Sequence, residues 1–411
     1  MEGTIVKKTK HSLQDVLIFL ICLGRMDGVL YENSITFAIL IALSFFALVY
    51  NLSTPHIVNS PYFKWQIVLI LFFAASLFWA FDFEQGKVIL IAYVGRSILM
   101  LYIYSYLVVT GNLIHLCKAY IVALIITILH FFLAFGLSGM ILVRADSLTV
   151  SQGWNANAMG LMCVVALFMM CYIIYSYTKI KNNAVLLAVV FFFLLFILMT
   201  GSKTCFFLIL GTLMFSYFFK SKKKLLASII VLFGAVVVYY LIMNVSFLYN
   251  IIGERVHNLL IGFSSLDVDD TSNRTNSDNL RYFMLLYGWG LFVEKPILGY
   301  GVGNFQALFG EVNDGVRMYA HNNFIELLVN GGIVGTTIYY WLYYKIIKEA
   351  ARLKNHKYGI TCISFMIVLI LSEFGQVSYL IFSDQLILII FMYQFYIQNK
   401  EEKRNLEIKS A

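Results

Sequence analysis

Proline is almost missing from this chain: three residues in 411, Pro55, Pro61 and Pro296. That excludes a Pro-rich linker or spacer. Charge is scarce as well, with Asp, Glu, Lys and Arg making up 13% of the residues. A chain so poor in charge, 61% apolar and 17% aromatic, is neither disordered nor soluble in composition. Its mean hydropathy is +0.81. The six cysteines, Cys22, Cys117, Cys163, Cys171, Cys205 and Cys362, each fall within or beside an apolar run and show no metal-ligand spacing, so they read as small buried hydrophobes.

What the chain has in abundance is long apolar runs. They fall at about 12–30, 35–50, 65–81, 88–109, 119–137, 157–177, 184–200, 203–219, 225–247, 322–344, 359–380 and 385–398. They are continuously apolar and do not alternate, which favours helices over a β-barrel. The expected fold is therefore an all-α polytopic integral membrane protein of about twelve transmembrane helices, with residues 1–411 forming one membrane domain. The basic N-terminus resembles a signal peptide until Arg25 and Asp27 interrupt the first run. No small-residue cleavage site follows, so that run is expected to be a first, weak span.

The net charge of +8 does not imply nucleic acid, because the basic residues sit in short runs between apolar segments. With the N-terminus in the cytoplasm, the inner connections and both termini hold 20 of the 30 Lys and Arg. The positive-inside rule thus predicts an even number of spans with both ends inside. One connection stands apart. Residues 248–321 form a polar stretch of 74 residues that this topology puts outside. Within it, Ile251 to Phe263 and Tyr282 to Glu294 carry helix-compatible apolar patterns, and Asp267–Asn279 has a linker's composition. Two amphipathic helices lying on the outer surface are expected.

The stretch 296–335 is the most informative. Gly299, Gly301 and Gly303 alternate ahead of Phe305, as a tight turn requires. No strand precedes them, which excludes a dinucleotide fold. Nine residues then separate His321-Asn322 from Gly332, and two more separate Gly332 from Gly335. A histidine at the mouth of a span is the side chain best suited to proton transfer near neutral pH.

These residues resemble the bacterial O-antigen ligase and Wzy-type polysaccharide polymerase superfamily. The matching elements are His321, Asn322, Gly332 and Gly335; Gly301, Gly303 and Phe305; Ser202 and Lys203; and Asn155 and Asn157. Two positions depart from the family pattern. Lys203 stands where arginine is common, and Asn330 where an acidic residue is often found, leaving Glu326 as the nearest carboxylate. The resemblance implies a GT-C-like glycosyltransferase in the bacterial cytoplasmic (inner) membrane, with its active site facing outside. Its substrates would be donor and acceptor glycans on polyprenyl diphosphate. A chain-length regulator and a flippase of the same pathway are expected partners.

A departing diphosphate needs cations at the membrane mouth. His321, Arg281 and Lys203 are the expected catalytic residues. Asn322, Arg317, Arg144, Asn157, Glu326 and Arg96 are the expected substrate-binding residues, Arg96 because a charge inside an apolar run is expensive. Arg96 could instead pair with Asp27. Glu373, Gln376 and Asp384 form a second polar patch that could face the acceptor. No cofactor and no metal are expected: Asp267, Asp269 and Asp270 do form an Asp-x-Asp pattern, but in a stretch with no apolar frame to hold an ion. The leading function is polymerisation of lipid-linked repeat units into capsular or O-antigen polysaccharide. Transfer of polysaccharide to lipid A-core is the first alternative. A transporter of the same glycolipids is the second, though the halves show no internal repeat.

Overall fold

The computed structural model describes residues 13–26, 34–142, 156–176, 184–200, 202–246, 249, 277–353 and 359–410. Among these the chain is helical and carries no strand. In order the helices are α1 (Leu13–Met26), α2 (Ser34–Asn51), α3 (Pro55–Val58), α4 (Pro61–Ser76), α5 (Phe83–Thr110), α6 (Leu113–Leu142), α7 (Ala156–Ser176) and α8 (Ala184–Thr200). There follow α9 (Lys203–Lys220), α10 (Lys224–Asn244), α11 (Ser277–Glu294), α12 (Asn304–Val312), α13 (Asn323–Arg352), α14 (Gly359–Ser372) and α15 (Phe382–Ser410).

Every one of the twelve apolar runs lies largely in a helix, as continuous apolarity requires where the backbone must satisfy itself. Among the described residues, four segments are long and apolar enough to cross a membrane: Pro61–Trp79, Phe83–Thr110, Leu113–Leu133 and Lys224–Asn244. Five more helices are apolar but shorter. Starts and stops follow local chemistry. Pro61 opens α4 where its missing N–H costs nothing, and Ser60 caps it by accepting from the Phe63 amide at 3.1 Å. Asp82 caps α5 through the Gln85 amide, and Gly111, at φ +70°, closes it.

The main core runs through α5, whose residues Leu99 to Leu107 are all buried. Around it α1 packs on α6, α2 on α5, α9 on α14 and α13 on α4. By contrast α10 leaves Leu225, Ile229, Leu232, Phe233, Val236 and Tyr240 exposed, a face suited to lipid. Five cysteines are buried, whereas Cys171 on α7 is exposed.

A second, smaller core sits at one end of the bundle. Met284 and Leu291 of α11, Phe305 and Phe309 of α12, and Ile325 and Val329 of α13 form it with Tyr300 and Ala320. Helix α11 covers the expected helix at Tyr282 to Glu294 but begins at Ser277, inside the stretch expected to be linker, and carries apolar residues on its exposed side too, Leu286, Trp289 and Val293 among them. The other expected amphipathic helix, the rest of that linker and the Asp267–Asp270 pattern lie outside the described residues. Helix α12 was not anticipated, although Phe305, Leu308, Phe309 and Val312 follow helical spacing.

Candidate functional site

The site is organised by a break in α13. Gly332 adopts φ +60° and ψ −162°, which interrupts the helix. The Gly-rich turn fills the gap. Tyr300 and Gly301 donate their amides to the carbonyls of Val329 and Asn330 at 2.8 and 2.9 Å. In return Ile333 and Val334 donate to Pro296 and Ile297 at 2.8 and 3.2 Å. Backbone groups freed by the break are thus paired within the junction, as burial demands. A Cβ on Gly299 would lie 2.4 Å from the Val329 oxygen, and one on Gly332 would lie 2.3 Å from the Ile297 oxygen. Only glycine lets the two chains come this close. Gly335 serves packing, with the Phe72 ring edge 2.6 Å from where its Cβ would be.

His321 precedes this junction in a strained backbone, at φ +51°. Its ring lies against Tyr319, centroids 4.1 Å apart. Burial, and then the charge of Arg281, hold its pKa down at about 4, so the imidazole is neutral near pH 7. Arg281 opens α11 and is exposed. Of the three expected catalytic residues, Arg281 therefore lies near enough for its charge to act on the His321 imidazole.

Glu326 is fully buried, and its role differs from the expected contact with substrate. Its Oε2 accepts the Ala320 amide at 2.7 Å, and its Oε1 accepts from the Asn330 side chain at 3.3 Å. Asn330 Oδ1 in turn accepts the Phe305 amide at 2.8 Å. The carboxylate therefore ties the residue before His321 to the start of α12, acting through backbone. Glu326→Leu is expected to orphan the Ala320 amide at a cost of about 1–3 kcal/mol. Glu326→Gln keeps an acceptor and should lower the melting temperature far less; thermal unfolding of both variants in detergent measures the difference.

Asn322 and Arg317 are also engaged within the protein. Asn322 caps α13, accepting from the Ile325 amide at 3.1 Å. Arg317 donates to Asp82 at 2.9 Å and to Gln85 at 3.0 Å, pinning the segment before His321 to the α5 N-terminus. Asp82 is held below the usual carboxylate range, first by the Gln85 amide, against burial, and then by Arg317. Asn304 binds the same corner, its Oδ1 accepting the Asp82 amide at 2.6 Å.

The rest of the expected set lies elsewhere. Arg144, Asn155 and Asp27 fall outside the described residues. Asn157 belongs to α7, and Lys203 opens α9 directly after its cap, Ser202; only the backbone of both is described. Arg96 lies thirteen residues after Phe83, in mid-α5, in a cleft that Arg25 also lines.

Of the second polar patch, Glu373 has a structural explanation. Glu373 is buried and accepts from Ser378, Tyr340, Tyr343 at 2.8 Å and Asn323 at 3.2 Å. Its carbonyl takes the Asn323 amide at 2.8 Å, which sews the end of α14 to the start of α13. The helical spacing of Asn323, Tyr340 and Tyr343 gave no sign of this network, since its centre comes from another helix.

Comparison with known proteins agrees with the resemblance read from the sequence. Residues 188–340 match the protein family described as O-Antigen ligase. That segment holds Lys203, Arg281, the Gly-rich turn, His321 and Gly332. A Rickettsia conorii protein named "Putative polysaccharide ligase" is 27% identical over 109 residues. The alignment covers 24% of this chain and 26% of that relative. Both findings support the O-antigen ligase and Wzy-type superfamily.

Proposed function

We propose that this protein is a glycosyltransferase that joins lipid-linked oligosaccharide repeat units into polysaccharide, taking the donor glycan from polyprenyl diphosphate. The observation that carries the reading is a neutral, backbone-strained His321 packed on Tyr319 within electrostatic reach of the Arg281 cation, inside the family-matched segment. In the proposed step the acceptor hydroxyl gives its proton to a His321 ring nitrogen while its oxygen forms a bond to the donor anomeric carbon. The bond from that carbon to the diphosphate oxygen breaks, and polyprenyl diphosphate leaves with the electron pair. A single displacement of this kind inverts the anomeric centre.

Arg281, with Lys203 as its proposed partner, would receive the diphosphate charge. An anion beside Arg281 also offsets one of the two causes that depress His321, so donor binding would raise the basicity of the imidazole. No metal ion is invoked. Arg144 and Asn157 are retained as proposed substrate contacts. The chain-length regulator and flippase remain proposed partners, and residues 1–411 a proposed single membrane domain containing the 248–321 loop.

The second reading, transfer of finished polysaccharide onto lipid A-core, is favoured by the ligase names of both the matched family and the Rickettsia relative. One assay separates the two. Purified protein in excess EDTA is given labelled lipid-linked repeat units, with or without lipid A-core. A ladder of longer lipid-linked chains without lipid A-core supports polymerisation; label appearing only on lipid A-core supports ligation. Movement of label across vesicles with no new bond would overturn both.

Two expectations follow. Free-enzyme kcat/KM should be flat from about pH 5.5 to 7.5 and fall on an acid limb near pH 4, where the His321 imidazole becomes charged. Arg281→Gln should move that limb upward, because it removes a lowering charge; a limb that stays put would separate the two residues. The proposed topology puts the catalytic end and the 248–321 loop outside the cytoplasmic membrane with both termini inside. Reporter fusions at residues 222 and 405 should then signal cytoplasm and one at Asn276 the outside.

A further inference from the structure

Beyond the Gly332 break, α13 carries a face that the site does not use. Ile333, Val334, Thr337, Trp341, Tyr344 and Lys348 are exposed and lie on one side of the helix, opposite the buried Tyr339, Leu342, Tyr343 and Ile346. Along this face the chemistry changes in order. It is aliphatic at Ile333 and Val334, aromatic at Trp341 and Tyr344, and cationic at Lys345 and Lys348. Val334 to Lys345 is about 16 Å of helix, close to half of the roughly 30 Å hydrocarbon layer of a bilayer.

Each lysine is held by the ring one turn before it. Lys345 Nζ lies 5.2 Å from the Trp341 ring centroid and Lys348 Nζ 5.8 Å from that of Tyr344. A ring covers one side of an ammonium and leaves its other donors open. Among the described residues neither lysine is in an ion pair. Glu349, the nearest carboxylate along the helix, is turned to Arg352 at 2.7 Å and to Asn399 at 3.1 Å.

Helix α4 repeats the pattern. It packs on α13 and runs the opposite way: Trp65 Nε1 donates to the carbonyls of Ile338 and Tyr339 at 2.9 and 3.1 Å, and the Phe72 ring edge rests against Gly335. Its exposed face reads Lys64, then Ile67 and Val68, then Leu71, so the order in sequence is reversed and the order in space is kept. At about 100° per residue, Lys64 and Val68 stand about a quarter turn from the line of Trp65 and Phe72. Val334, Trp341 and Lys345 stand about as far round from the line of Gly335 and Ile338, in the same rotational sense. Antiparallel helices bring two such faces to one flank. Side chains lean towards the N-terminus of their helix, which carries Lys64 towards the Pro61 end and Lys345 back to Trp341, so cations from both helices approach one level.

We propose that the flank between α4 and α13 binds an anionic glycerophospholipid, its phosphate at Lys64 and Lys345 and its acyl chains along Val68, Leu71, Val334 and Trp341. Like charges at one level repel unless an anion joins them, and the apolar lane that runs on from them suits a headgroup with chains attached. A zwitterionic headgroup brings a cation of its own and is the poorer fit. In the proposed topology this is the cytoplasmic leaflet. The site requires only that these helices span a membrane, and it is independent of the glycosyl-transfer reading.

The test is lipid binding by the full-length protein. In detergent it is titrated with phosphatidylglycerol and, separately, with phosphatidylcholine, and bound lipid is read by native mass spectrometry. Lys64→Gln and Lys345→Gln should each weaken phosphatidylglycerol binding by about fivefold, the usual contribution of one cation near a membrane surface. The double variant should lose about tenfold or more, and wild type should prefer phosphatidylglycerol by a similar factor. Lys345→Arg should retain binding. Trp341→Leu keeps the lane apolar and frees the ammonium, so a loss of about twofold to fivefold is expected of it even if the double variant does not fold. Phosphatidylglycerol should also raise the unfolding temperature of wild type more than that of Lys345→Gln. Lys222→Gln removes the same charge from the exposed connection between α9 and α10 and should change nothing. Equal losses in Lys222→Gln and Lys345→Gln would overturn the proposal, leaving only diffuse attraction to a basic rim. So would equal binding of the two lipids, or glycerol phosphate bound as tightly as phosphatidylglycerol with the same lysine dependence, which would make this a soluble-anion site.

Discussion

His321→Ala is expected to cut glycosyl transfer by about 10²–10⁴, the usual worth of a positioned proton acceptor. The same variant should still be produced in the membrane and unfold close to wild type, because the imidazole packs on Tyr319 and is not part of either core. Its backbone sits at φ +51°, where alanine is no better suited than histidine, so the loss reports the ring and not the fold. His321→Gln is the informative companion: it can hydrogen-bond a hydroxyl but cannot carry its proton at neutral pH. Activity in His321→Gln near wild type would show that residue 321 only orients the acceptor. Transfer within about threefold of wild type in His321→Ala would remove the histidine from the chemistry altogether.

Gly332→Val should have the largest effect on stability. At φ +60° and ψ −162° a branched residue carries roughly 1–3 kcal/mol of backbone strain. Its Cβ would also collide with the Ile297 carbonyl, 2.3 Å from the oxygen and 2.4 Å from the carbon, and backbone cannot step aside as a side chain can. Relief requires withdrawing the Gly-rich turn, which breaks the bonds from Tyr300, Gly301, Ile333 and Val334 together. The expected outcome is little folded protein, and lost activity in whatever folds. Gly335→Ala is the control, since its added carbon meets only the edge of the Phe72 ring, a side chain able to turn. Equal stability of the two variants, measured by thermal unfolding in detergent, would show that the junction is not what organises this end.

Hydropathy alone, read with the rule that backbone in lipid must pair within its own segment, was enough to mark twelve helical stretches and most of α11. Spacing alone picked out His321, Gly332 and the Gly-rich turn, because a short signature is local and survives without knowledge of the fold. What each residue does was decided by tertiary structure. The two glycine elements are 29 residues apart between Gly303 and Gly332, and only their docking shows that one mends a break in α13 made by the other. The sequence marks Glu326 as a substrate contact because it is the carboxylate nearest Asn330, Asn322 as part of the signature, and Arg317 as an outer cation for a diphosphate. In the structure they hold the Ala320 amide, cap α13 and pin the segment to Asp82. Arg96 read as a costly charge inside an apolar run with the Arg25/Asp27 region as one expected neighbour, and the structure places Arg25 in the same cleft, 71 positions away on α1. Periodicity reports which face of one helix is apolar; which helices share a face is settled by packing among all of them.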